Sequence, residues 1–79
     1  MDNREWINKA ISKTGALSNS AEFCLKDLFD GIEWNGLSKG DRLSFGRFFK
    51  NEVIEGNIPN ITYIGKAQNN AAKYKKEIV

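Results

Sequence analysis

Trp6, Ile7, Ala10 and Ile11 recur at helical spacing and form one apolar stripe, with Arg4, Glu5, Lys9 and Lys13 off it. Asp2, three residues before Glu5, is an N-cap signal, and Gly15 is a stop. The spacing predicts a helix over 3–14, with Glu5 four residues ahead of Lys9 in the favourable order for an ion pair. Ala21 to Leu25 reads as a short extended segment with Phe23 and Leu25 on one face. Residues 26–31 read as a short helix carrying Leu28 and Phe29, ended by Asp30-Gly31. Ile32, Trp34 and Leu37 fall in a connection of loop character with a tight turn at Asn35-Gly36. Ser38 and Asp41 have the spacing of a capping box, and a helix follows to about Glu55. Phe45, Phe48, Phe49 and Val53 occupy one broad face of it, widened by Leu43 and Ile54, while Ser44, Arg47, Asn51 and Glu55 lie opposite. Gly46 inside this helix costs about 1 kcal/mol relative to alanine, which suggests close approach by another backbone, such as the first helix.

Beyond Gly56-Asn57 the period changes from helical to alternating. Pro59 suits a strand entrance because it has no amide hydrogen to give a ladder. Ile61 to Lys66 and Ala71 to Ile78 read as an antiparallel pair around the turn Ala67-Gln68-Asn69-Asn70. On the return strand Ala72, Tyr74, Lys76 and Ile78 share one face; Lys73, Lys75 and Glu77 share the other. The order is helix, short strand, helix, turn, helix, strand, strand. The first strand can complete a three-stranded sheet with the hairpin. The expected fold is α+β, a single winged helix-turn-helix domain over residues 1–79: three helices and a small antiparallel sheet with a C-terminal β-hairpin wing.

Composition narrows the picture. At 79 residues the chain buries only about 60% of the surface exposed when unfolded, so the core needs nearly all the large apolar side chains. The 41% hydrophobic and 11% aromatic content exceeds that of a disordered chain. No run of about 18 apolar residues predicts a membrane span. Met1-Asp2-Asn3-Arg4-Glu5 does not begin a secretory signal, so a cytoplasmic location is expected. Cys24 is the sole cysteine and reads as a small buried hydrophobe. There is no histidine, and so no residue of the commonest general-base and metal-ligand type. Cys24 has only Lys26 as a nearby basic neighbour, and Gly36-Leu37-Ser38-Lys39-Gly40 lacks phosphate-loop spacing. No enzymatic activity and no cofactor are expected.

Net charge is only +2, but its distribution is uneven. Acids gather at Glu22, Asp27, Asp30 and Glu33, and lysines at the end of the chain. Lys66, Lys73, Lys75 and Lys76 beside Asn69 at a wing tip suit phosphate contacts, which position a protein without reading sequence. A lysine-rich strand also serves as an edge protected against strand addition. Arg47 and Lys50 suit the same purpose from the third helix, whereas Arg42 lies nearer the apolar side and suits a pair with Asp30 or Glu33. Tyr63 and Tyr74, set among lysines, are candidates to stack an unpaired base, and at least one is expected to face the core. Trp6, Trp34, Phe45, Phe48 and Phe49 read as core or its rim.

The run Phe23-Cys24-Leu25-Lys26-Asp27-Leu28-Phe29, then Trp34, Lys39-Gly40-Asp41-Arg42-Leu43 and Gly46-Arg47-Phe48-Phe49, resembles a family of small proteins of Gram-positive bacteria and their mobile genetic elements. That family was long catalogued as a domain of unknown function. The resemblance covers about residues 20–78. It implies a winged-helix fold and, from a member in a staphylococcal resistance cassette, single-stranded DNA binding beside replication genes. It implies no particular binding residues. The functional expectation is therefore non-enzymatic binding of single-stranded DNA in support of replication of a mobile element, with replication proteins as further partners and no membrane role. On this expectation, changing Lys73 and Lys75 together to Glu abolishes binding without unfolding. Two other readings remain open. One is a duplex-DNA regulator, probing the groove with residues 39–51 as a dimer. The other is a protein-interaction module, favoured by the acidic middle at Asp27, Asp30 and Glu33.

Overall fold

The computed structural model describes residues 2–68 and 71–78; the wing-tip position Asn69 lies outside them. Asp2 starts helix α1 (Asn3–Thr14) by accepting the backbone N–H groups of Arg4 and Glu5 on its carboxylate, at 3.0 and 3.5 Å. Strand β1 (Glu22–Cys24) leads directly into a single turn of helix, α2 (Leu25–Leu28). Asp27 steadies that junction, its carboxylate accepting the Cys24 N–H at 2.9 Å.

Two local expectations change here. Asp30-Gly31 does not end a helix but starts one: the Asp30 carboxylate accepts the Glu33 N–H at 2.8 Å, and residues expected in a loop form α3 (Gly31–Asn35). The described residues thus hold four helices, not three. Aspartate followed by glycine serves as either a stop or a start, and only the N–H groups it meets decide which. Ser38 then caps α4 (Lys39–Ile54), its hydroxyl accepting the Asp41 N–H at 3.1 Å. Only this half of the capping box forms among the described residues.

Strands β2 (Ile61–Lys66) and β3 (Ala72–Lys76) close the fold. The sheet is antiparallel with order β1-β3-β2, so the last strand lies in the middle. Its inner face carries Tyr74, which meets Phe49 of α4 edge-on at 5.0 Å and Phe23 of β1 at 5.7 Å. Phe45, Phe49 and Tyr74 are fully buried, and Ile7, Ala10, Leu25, Leu28, Phe29, Val53, Ile58 and Ile61 complete one core. Trp6 and Trp34 sit at its rim, both packed on Phe29, the latter nearly parallel at 5.9 Å.

Charged contacts also depart from the local pattern. Lys9 turns to Glu33 on α3 at 4.0 Å, joined by Lys13 at 3.7 Å. Glu33 therefore ties α3 to α1 and does not pair with Arg42. Lys76 is buried, and its ammonium donates to the carbonyls of Thr14, Gly15 and Leu17 at 2.8, 3.4 and 2.9 Å. These carbonyls lie at and just past the end of α1, where the negative end of the helix dipole favours a cation.

Candidate functional site

Helix α4 carries two neighbouring faces. Phe45, Phe49 and Val53 enter the core. The adjoining face, Arg42, Leu43, Gly46, Arg47 and Lys50, lines a groove of about 480 Å³ shared with α2, α3 and the hairpin. Cys24, Leu25 and Lys26 contribute from the β1–α2 junction and Trp34 from α3; Tyr63, Lys66, Ala71, Ala72 and Tyr74 contribute from the hairpin. Five cations thus surround an aromatic and aliphatic floor, and no acidic side chain among the described residues lines it.

The floor is open where α4 passes. A Cβ added at Gly46 would meet no heavy atom within 4 Å. The expected close approach of another backbone to Gly46 is therefore not found; the glycine faces the groove.

Lys66 reaches the groove through an irregularity in β2. Tyr63 pairs with Tyr74, yet Gly65 pairs with Lys73 and Lys66 with Ala72, so two steps along β2 match one along β3. Such a bulge at Ile64 transfers every later side chain to the opposite face. Lys66, which plain alternation from Tyr63 would put outside, joins the face of Tyr63 and Ala72. Gly65 takes φ +118° there, a conformation that suits glycine.

At the centre of the groove the Lys50 ammonium lies 4.6 Å from the centroid of the Tyr63 ring. That cation–π contact holds the lysine within the groove, at a strength of about 0.5–1 kcal/mol for a partly exposed pair. The Tyr63 ring in turn leans on Tyr74 at 5.8 Å. Burial, then the neighbouring Tyr63 and Cys24, push the Tyr74 hydroxyl well above the ordinary tyrosine range.

The residues expected to bind nucleic acid are therefore divided among three places. Arg47, Lys50, Tyr63 and Lys66 come together in the groove. Lys73 and Lys75 point to the other face of the sheet, where Lys73 pairs with Glu22 at 3.0 Å and Lys75 with Glu77 at 4.0 Å. The Lys73–Glu22 hydrogen bond and attraction raise the lysine's pKa and lower the glutamate's. Tyr74 and Lys76 point inward. The ring of Tyr74 is fully buried and has no free face for a base, and the Lys76 charge is occupied by three carbonyls. Those two roles are corrected by one fact of strand geometry: positions 74 and 76 alternate onto the side that the helices cover.

Sequence reasoning missed Lys26, Trp34 and the groove position of Arg42. Trp34 was hidden by reading α3 as a loop. Lys26 follows the turn from strand to helix, which no periodic pattern marks. Among the described residues no three metal-ligating side chains converge, and no helix is long and apolar enough to cross a membrane.

A solved structure described as a nucleic acids binding protein, LP1413 of SCCmec type IV, is similar in fold, with a TM-score of 0.67. The match covers 98% of this chain and 88% of that one at 18% sequence identity. No curated protein matches the sequence. The family model for a domain of unknown function, DUF1413, matches residues 8–76, from within α1 to the end of β3 and so through every element that builds the groove. On that span of match, the chain belongs to the DUF1413 family.

Proposed function

We propose that this protein is a non-enzymatic nucleic-acid-binding module of winged-helix type, which takes single-stranded DNA in the groove between α4 and the hairpin. The observation that carries the reading is the groove itself: Lys26, Arg42, Arg47, Lys50 and Lys66 surround Tyr63 and Trp34 with no acid among the described lining residues. Cations along a channel suit a phosphate backbone, and aromatic side chains in an apolar floor suit unstacked bases; together they form the usual means of holding a single strand without sequence preference. The order of elements and the central position of β3 support the winged-helix description, with β2 and β3 as the wing. The name of the structural neighbour, a nucleic acids binding protein, supports the ligand class. On the resemblance to mobile-element proteins, the reading extends to support of such an element's replication, with replication proteins as partners.

Fluorescence anisotropy with labelled single-stranded and duplex oligonucleotides across a salt series tests the reading. The single strand binds more tightly, and log affinity falls linearly with log salt at a slope of about −3.5 if all five cations meet phosphates. Tighter binding to duplex would move the contact to the exposed side of α4. Binding of neither at low salt would end the nucleic-acid reading.

A further inference from the structure

We infer that the groove receives an unpaired nucleobase edge-first, with the Tyr74 hydroxyl as the hydrogen-bonding group at its floor. The inference rests on the single-strand reading above and gives Tyr74 a contact that its buried ring does not suggest. Packing alone does not require this hydroxyl. The ring is held by Phe49, Phe23 and Tyr63 at 5.0, 5.7 and 5.8 Å, contacts that phenylalanine would make equally well. The hydroxyl is nevertheless there, fully buried, with no hydrogen-bond partner among the described residues. Buried polar groups are nearly always paired, and a hydroxyl without a protein partner is open to a water or a ligand.

Its position favours the ligand. Tyr74 lines the groove beside Tyr63 and Cys24, and across from them α4 presents Gly46 with open space where a side chain would stand. The groove volume of about 480 Å³ is in the range of small-molecule pockets. The floor is uncharged, and the cations belong to residues that carry their charge at the ends of long side chains. A phosphate is therefore held at the rim. What suits the interior is a flat, mostly apolar group with an acceptor on its edge, which describes the keto or ring-nitrogen edge of a base. In a duplex the Watson–Crick edge is engaged by the partner base and the stack keeps the base from entering a groove, so a contact to that edge selects for the single strand. Lys50 lies over the Tyr63 ring in the free groove. A base that takes its place against the ring releases the ammonium to the adjoining phosphate, and its edge reaches the buried hydroxyl only by displacing the side chains that close over it.

Tyr74→Phe removes the hydroxyl and keeps the ring. Its binding is compared with that of the unaltered protein on a mixed-sequence single strand and on an abasic strand of the same phosphate count, at one salt concentration. The base-bearing strand loses about three- to tenfold in affinity, the scale of one hydrogen bond, while the abasic strand binds unchanged. The thermal midpoint of the free variant stays level or rises, since an unpaired buried group is gone. Equal affinity of the two proteins for the base-bearing strand, or an equal loss on both strands, overturns the base contact and leaves the proposed function standing. Failure of the unaltered protein to bind either strand removes both. A second measurement needs no variant: the tyrosine Cζ resonance of Tyr74, followed by NMR in the unaltered protein, shifts with the base-bearing strand and not with the abasic one. A resonance unmoved by a bound base-bearing strand also overturns the contact.

Discussion

The ammonium of Lys76 sits in a lysine run, yet it closes the end of α1 across the whole sequence. Three carbonyls accept from it, two of them within 3.0 Å, in a buried setting. A hydrogen bond to a charged group contributes about 1.5–3 kcal/mol, and removing the donor leaves the carbonyls it served without it. Lys76→Met keeps the stem and removes the charge. Its stability in urea should fall by about 2 kcal/mol, while the salt slope of nucleic-acid binding at a temperature where it stays folded should match that of the unaltered protein. A shallower salt slope with stability intact would return Lys76 to the phosphate contacts. The neighbouring Lys75 differs only in alternation: it stands on the outer face beside Glu77. Residue type alone does not separate the two; the side of the strand does.

At the scale of elements, much of the fold was legible. Helix α1, the start of α4 and the span Ile61–Lys66 follow from caps, stops and period, because each signal is local. Two elements were not readable in this way. Helix α3 depends on whether Asp30 meets N–H groups ahead of it or carbonyls behind it, and its composition permits both. The bulge at Ile64 depends on pairing with β3, and Gly65 is its only local mark. The candidate site divides in the same way: Arg47 and Lys50 stand together on α4, and alternation along β3 separates Lys73 and Lys75 from Lys76 as the sequence predicts, but it does not tell which side the helices cover. Gly46 offers a test confined to one element. Its missing side chain weakens α4 by about 1 kcal/mol relative to alanine, and nothing within 4 Å opposes a Cβ there. Gly46→Ala should therefore stabilise the protein by up to about 1 kcal/mol with binding retained. Gly46→Leu should keep a folded protein but fill the groove and weaken single-strand binding at least tenfold. Full binding by the leucine variant would mean that nucleic acid does not enter along this stretch of α4.

Across the whole molecule the net charge of +2 conceals a separation of signs. Five of the twelve basic residues line the groove and none of the ten acids does, so the side chains elsewhere sum to −3. A dipolar distribution of this kind draws a polyanion to one place and repels it from others, and the focusing depends on the groove cations far more than on the total. The outer face of the sheet lacks that property, because Lys73 and Lys75 each have a glutamate beside them. Whether the groove cations or the outer-face lysines hold the phosphates is decided by two double variants of equal charge. Arg47→Gln with Lys66→Gln removes two groove cations from exposed positions. It should weaken single-strand binding about tenfold or more near physiological salt and reduce the log–log salt slope by about 1.4, two contacts' worth. Lys73→Gln with Lys75→Gln removes the same charge from the other face and should leave the slope unchanged, with a small loss of affinity from the altered total. Both variants carry the same net charge, so a general electrostatic attraction would weaken them equally. The reverse ranking would move the interface to the outer face of the sheet and leave the groove without its phosphate contacts.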